Sequence, residues 1–210
     1  MSGRRLLSAS LLAVTSLVAS APAQKNEIAG GIGRTFIADQ GIKPGAIPLL
    51  NNTVHFGHGT SFEVNYSRHL IGEGFYRLDL EVPFVGNPNE DLGSGNGGVP
   101  SNYSAYFVTP SMRAKVFAES VVQPWISFGG GYGRFNMSNT LVYGGTNPGP
   151  TSKSSGLLQA GLGLDVRTFK RASMRLAARD FWAGALPLNV NTGKSHQHNI
   201  VVTGGLVFRF

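Results

Sequence analysis

One rhythm constrains this sequence more than any other feature. From Asn26 to Phe210, apolar and polar side chains alternate through eight separate segments, and a period of two builds strands rather than helices. Segment 74–84 is the plainest. There Tyr76, Leu78, Leu80, Val82 and Phe84 alternate with Arg77, Asp79, Glu81 and Pro83, so one strand carries a wholly apolar face and a charged one.

The other seven segments repeat the rule. Segment 26–36 sets Ile28, Gly30, Ile32 and Phe36 against Glu27, Ala29, Gly31, Gly33 and Thr35; Arg34 falls on the apolar face and is expected near the strand's outer end, where its head can reach the interface. Segment 58–68 opposes Phe62, Val64 and Tyr66 to Ser61, Glu63, Asn65 and Ser67. In 103–116, Tyr106, Val108, Met112 and Ala114 face away from Thr109, Ser111, Arg113 and Lys115, and Pro110 predicts a bulge or bend because it has no N–H for the ladder. Segments 124–135, 156–167, 172–181 and 198–210 follow, the last running Ile200, Val202, Gly204, Leu206, Phe208 and Phe210 against Asn199, Thr203, Gly205 and Arg209.

A soluble sandwich also alternates, so the pattern needs a second observation. The charged rows here also carry many of the 29 glycines, which suits a crowded interior. In a transmembrane barrel the apolar face meets lipid and the polar face fills the lumen, and segment lengths near the 9–11 residues that cross a bilayer agree. Connections alternate long and short: 37–57, 69–73, 85–102, 117–123, 136–155, 168–171 and 182–197. Short periplasmic turns and long extracellular loops have that asymmetry, which puts both termini on the periplasmic side. The fold class is therefore all-β: an eight-stranded antiparallel up-and-down transmembrane barrel.

Residues 1–23 read as a signal peptide, leaving 24–210 as the barrel. Arg4 and Arg5 precede an apolar stretch from Leu6 to Ala19, and Ala21-Pro22-Ala23 places small residues before a cleavage point at Gln24. The apolar stretch is short for a spanning helix. Export permits disulfides, yet the sequence has no cysteine, so the fold holds without them. Net charge falls from +7 to +5 when Arg4 and Arg5 leave with the leader. The remaining cations are scattered, which argues against a nucleic-acid partner.

The leader, the eight segments, the Gly-Gly-Gly-Tyr-Gly run at 129–133 and the closing Gly204-Gly205-Leu206-Val207-Phe208-Arg209-Phe210 resemble the small outer-membrane β-barrel family of the OmpA transmembrane domain and OmpX. The resemblance covers the mature chain and implies a Gram-negative outer-membrane location. It also implies that Leu206, Phe208 and Phe210 form the C-terminal signal read by the barrel-assembly machinery. No peptidoglycan-binding domain is expected after the barrel. Lipid and lipopolysaccharide are the surrounding partners, and a monomer is expected.

Candidate chemistry concentrates on the polar face. Glu27, Glu63, Asp79, Glu81 and Asp165 share it with Arg77, Arg113, Lys115, Arg167, Arg175, Arg179 and Arg209. A proton or ion path is one reading. The favoured one is a lumen ion-pair network, because an eight-stranded barrel is just wide enough for side chains to fill and buried charges must pair. Glu27 opens the first strand and Arg209 closes the last, so barrel closure predicts that they pair.

Other constellations are weaker. His55 and His58, with His196 and His198, sit at one rim and can ligate zinc or copper, but neither Cys nor a clear carboxylate completes a shell, so no metal or other cofactor is expected. Ser195-His196-Gln197-His198 is the one run that tempts a hydrolase reading, as in lipid A deacylases of similar size; no third group can be placed, and catalytic residues are not expected. Arg179-Asp180 beside His198-Asn199 reads as a rim hydrogen-bond cluster. Tyr66, Tyr76, Phe84, Trp125, Tyr132, Trp182, Phe208 and Phe210 lie near segment ends and are expected in the aromatic girdles. The expected function is a structural or surface-interaction role in the cell envelope, with a narrow channel or a lipid A-modifying enzyme as alternatives.

Overall fold

The computed structural model describes residues 25–43, 53–95 and 97–210; the expected leader lies outside them. Eleven strands form among these residues: β1 (Asn26–Phe36), β2 (Gln40–Gly41), β3 (Thr53–Phe56), β4 (Thr60–Ile71), β5 (Tyr76–Ser94), β6 (Asn102–Val108), β7 (Ser111–Val116), β8 (Val122–Met137), β9 (Ser152–Arg167), β10 (Ala172–Gly184) and β11 (His196–Arg209). Their pairings make a closed antiparallel ring of eight staves: β1, β4, β5, β6 with β7, β8, β9, β10 and β11. Closure runs from Glu27 opposite Arg209 to Phe36 opposite Ile200. The Asn26 amide donates to the Phe210 carbonyl at 3.1 Å and the Phe210 amide returns the bond at 3.0 Å, so the last residue is held in the seam. A closed ring leaves its staves without an open edge.

Pro110 splits one stave into β6 and β7, which both lie between β5 and β8. With no amide of its own it leaves the ladder, while its carbonyl still accepts from the Gly130 amide at 3.3 Å. Stave β5 corrects one sequence expectation. Residues 85–94 continue the strand instead of forming a loop, and the Gly, Asn and Pro residues there mark a register shift between Asn87 and Glu90. Turn-forming residues serve a bulge as well as a turn, and sequence spacing alone does not separate the two. Beyond the bulge β5 pairs with β3, from Val54 opposite Ser94 to Phe56 opposite Leu92, so the barrel wall rises higher at the loop end.

The surface is inverted relative to a water-soluble fold. Ile32, Ile126 and Leu206 are 74%, 65% and 65% exposed, whereas Asp79, Glu81 and Arg113 are fully buried. A continuous apolar exterior of this kind needs hydrocarbon around it, which the outward face of a transmembrane barrel has. Arg34 points outward among these residues and is exposed.

The interior has two layers. Toward the termini lies a charged one, described below. Toward the loops, Phe107, Phe135 and Phe181 fill the lumen, with Phe107 and Phe181 stacked at 4.6 Å between ring centroids. Above them Val99, Leu186 and Leu188 come in from the loops and pack with Val54, Phe56 and Leu92.

Candidate functional site

The site is the charged half of the lumen, and the pleat positions it. Residues of one parity on every stave face inward, so odd-numbered carboxylates of β1, β4, β5 and β9 meet odd-numbered cations of β5, β7, β10 and β11. Glu27 is a hub. It accepts from Arg113 Nη2 at 2.6 Å, from Arg209 Nε at 2.9 Å and from Lys115 Nζ at 3.4 Å, with Arg77 and Arg175 at 3.6 and 3.7 Å. The Glu27–Arg209 pair joins the two strands of the seam.

Arg113 bridges three carboxylates: Glu27, Asp79 at 2.7 Å, and Glu81 at 3.6 Å. Asp79 also takes Arg77 Nε at 2.6 Å and contacts His69 Nδ1 at 3.2 Å. Deeper in the lumen, Arg179 donates to Glu63 at 3.0 Å and to Glu81 at 2.7 Å, and Thr203 donates to Glu63 at 2.9 Å. Asp165 receives Arg175 through two nitrogens at 2.7 and 2.8 Å and Lys115 at 2.8 Å. Such forked, charge-assisted bonds are the strong kind, and burial of these ions is tolerable only because each has partners. Of the twelve sequence-derived lumen residues, eleven enter this network. Arg167 does not: its Nη2 donates to the Ala118 carbonyl at 2.9 Å near the terminus-end mouth.

Trp125 departs from expectation. It is buried inside the lumen, not in a girdle, because it shares the parity of Ser127 and Gly129. The guanidinium carbons of Arg179, Arg175 and Arg113 lie 5.1, 5.2 and 5.9 Å from its ring centroid, and its Nε1 donates to Asp165 at 3.2 Å. A desolvated cation over an indole face is worth ~2 kcal/mol. Room for the ring comes from Gly163 on β9, where even a methyl group would meet the indole and the Leu176 carbonyl. The other expected girdle residues Tyr66, Tyr76, Phe84, Tyr132, Trp182 and Phe208 are exposed on the outside, and Phe210 is half-buried. Leu206 and Phe208 likewise face outward on β11.

Sequence reasoning missed the aromatic layer. Phe107, Phe135 and Phe181 have the parity of Arg113, Gly133 and Arg179, and that parity was the available signal.

At the loop-end rim the four histidines have separate partners. His55 meets Asp39 at 2.7 Å, a hydrogen bond that holds Asp39 below the usual carboxylate range; His58 packs edge-on to Phe36; His198 bonds Asp180 at 2.6 Å and stacks on Trp182. His196 Nδ1 lies 2.9 Å from Ser195 Oγ. The nearby acid thus serves His198, a different imidazole from the one facing the serine. Among the described residues no group of three or more His, Cys, Asp or Glu side chains is arranged to hold a metal ion.

Glu90, beyond the bulge of β5, is a buried carboxylate of another kind. The eleven residues from Tyr76 to Gly86 suffice to cross a bilayer, so it stands outside the spanning segment. Its Oε2 accepts from Asn87 at 2.6 Å and from the Gly59 amide at 3.1 Å, while Oε1 has no hydrogen-bond partner among the described residues. Burial pushes its pKa from the usual 4.5 up to about 7, and the charge of Asp91 adds to the rise. A carboxyl whose folded pKa exceeds its unfolded one holds its proton more tightly when folded. Its contribution to stability therefore falls as pH rises from about 4.5 through 7 and is level above that. Glu90→Gln is expected to abolish this decline, by at most ~3 kcal/mol at pH 8. Urea unfolding in detergent micelles at pH 5 and 8, with Gly59 amide exchange alongside, checks it: equal pH responses of parent and variant would refute the assignment.

The ring and its ion-paired lumen define the chain as a small transmembrane β-barrel. No family model matches the sequence, and no curated protein does. Among solved structures, OprG of Pseudomonas aeruginosa is similar at 16% identity and a TM-score of 0.56, over 90% of this chain and 96% of that one. Neisserial surface protein A is similar at 12% identity and 0.55, over 88% and 97%. Ail of Yersinia pestis, solved with the heparin analogue sucrose octasulfate, gives 12% and 0.51, over 89% and 98%. All three are small outer-membrane barrels, and at such identities the likeness concerns the fold.

Proposed function

We propose that this chain is a non-conducting barrel of the bacterial outer membrane, with both termini periplasmic, whose work is done at its loop end as a structural or surface-interaction element of the envelope. The observation that carries this reading is the doubly filled lumen. Arg113 and Arg179 cross it with essentially no solvent exposure, and the Phe107–Phe181 stack lies above them. Both layers stand across the path of a water column, and moving a buried ion pair aside leaves charges unpaired. The longer wall at β5 and the loops packed on it suit a platform for contacts outside the cell. Leu206, Phe208 and Phe210 act as the assembly signal, and the barrel is a monomer that is not an enzyme.

Planar-bilayer recording tests it. The mature chain is expected to give no conductance steps above baseline; reproducible, ion-selective steps would favour the narrow-channel reading instead. Mass spectra of lipid A from cells expressing the chain are expected to show an unchanged acyl pattern.

A further inference from the structure

The terminus-end mouth of the lumen holds a cavity of about 170 Å³ lined by Arg77, Lys115, Gln123, Arg167, Lys170 and Arg209, with Ala118. Five of those side chains are cationic and none is anionic. The charged half of the lumen carries seven cations, Arg77, Arg113, Lys115, Arg167, Arg175, Arg179 and Arg209, against five carboxylates, Glu27, Glu63, Asp79, Glu81 and Asp165. Three of the basin cations are already paired: Arg209 and Lys115 with Glu27, Arg77 with Asp79, and Lys115 also with Asp165. The unpaired positive charge at the mouth lies on Arg167 and Lys170. Arg167 makes no ion pair among the described residues and its one hydrogen bond is to a backbone carbonyl. Arg77 is paired with Asp79 at 2.6 Å, and its buried Nη2, 3.6 Å from a Glu27 oxygen, has no hydrogen-bond acceptor among the described residues. Lys170, exposed on the turn between β9 and β10, adds a further cation with no ion pair among the described residues.

We infer that this basin is a binding site for a soluble phosphate-type oxyanion, inorganic phosphate or the phosphomonoester of a small molecule. Three observations converge on that chemistry. The free donors include the Arg167 N–H groups beyond the one bonded to Ala118, and a planar guanidinium suits phosphate oxygens. Arg167 and Lys170, the two basin cations without an ion pair among the described residues, together carry two positive charges, which balance a phosphomonoester at about −1.5 to −2 at pH 7. The volume holds several waters at ~30 Å³ each, enough for a tetrahedral ion and part of its shell. A lipid headgroup has the same chemistry but is the lesser candidate, since the cavity opens inside the ring and lipids pack outside it.

The test titrates inorganic phosphate into the mature full chain in octyl glucoside, a detergent without phosphate, and follows heat. Saturable binding is expected, weakened at least tenfold in Arg167→Gln/Lys170→Gln and unchanged in Lys194→Gln at the opposite end. Neither Arg167 nor Lys170 belongs to the ion-pair network, and heat-shifted gel mobility verifies that the double variant folds. Absence of saturable binding up to 50 mM phosphate, or equal affinity in all three proteins, overturns the site. Nanodiscs separate the sources. The phosphate affinity is expected to be the same in pure phosphatidylcholine discs and in discs containing phosphatidic acid; a weaker apparent affinity in the latter would assign the basin to a lipid headgroup and overturn the soluble-ion reading.

Discussion

Arg113→Met is expected to destabilise the barrel by ~3–5 kcal/mol, the usual cost of breaking a buried ion pair by removing one partner. The cost arises in what remains. Arg113 lies between Glu27, Asp79 and Glu81, and no neighbour can take over all three contacts. Glu81 retains Arg179, and Asp79 retains Arg77, but Glu27 loses its shortest contact at 2.6 Å. Methionine fills much of the same volume, so the loss reads out charge more than packing. Arg113→Lys is expected to recover only part, because an ammonium is a point donor and cannot span three carboxylates as a planar fork does. Arg113→Met/Asp79→Asn should cost less than the sum of the two single changes, since the Arg113–Asp79 contact at 2.7 Å is lost only once. Urea unfolding in micelles, run as a double-mutant cycle, measures this; a strictly additive cycle would show that Arg113 and Asp79 are not coupled.

The sequence made the ring and the charged layer legible for the same reason. Period-two alternation assigns each residue to the inside or the outside, and wherever charge and apolar side chains alternate, as in Tyr76–Phe84, the assignment is unambiguous. Glu27 and Arg209 pair because the first and last strands each have one free side, and closure joins those two sides. Three features escaped. Trp125 lies near a segment end, which suggests a girdle, while its parity with Ser127 points it inside; the two signals conflict, and parity prevails because Gly163 across the ladder leaves room. The upper part of β5 escaped because Gly86-Asn87-Pro88-Asn89 has the composition of a loop, and only pairing with β6 and β3 distinguishes a bulged strand from a turn. The aromatic layer escaped because Phe107 and Phe181 lie on the face otherwise marked as polar. Apolar residues there signal a change in what fills the lumen, and the lumen has two fillings.

That second filling leads to the other large effect. Phe181→Ala is expected to cost ~3–5 kcal/mol, as for other buried Phe→Ala changes, because Phe181 is fully buried and its ring stacks on Phe107 at 4.6 Å. The surrounding strands are tied into a ring and cannot close on the space, which puts the cost toward the upper end of that range. Phe181→Leu, which leaves a smaller void, should cost less. Conductance separates packing from plugging. In Phe181→Ala the Arg179 bridge to Glu63 and Glu81 still spans the lumen one step nearer the termini, so no current is expected even though the aromatic layer is broken. A loss below ~1 kcal/mol would mean that the layer is not packed as a core, and new conductance steps in this variant alone would make the aromatic layer, not the ion pairs, the barrier that seals the barrel.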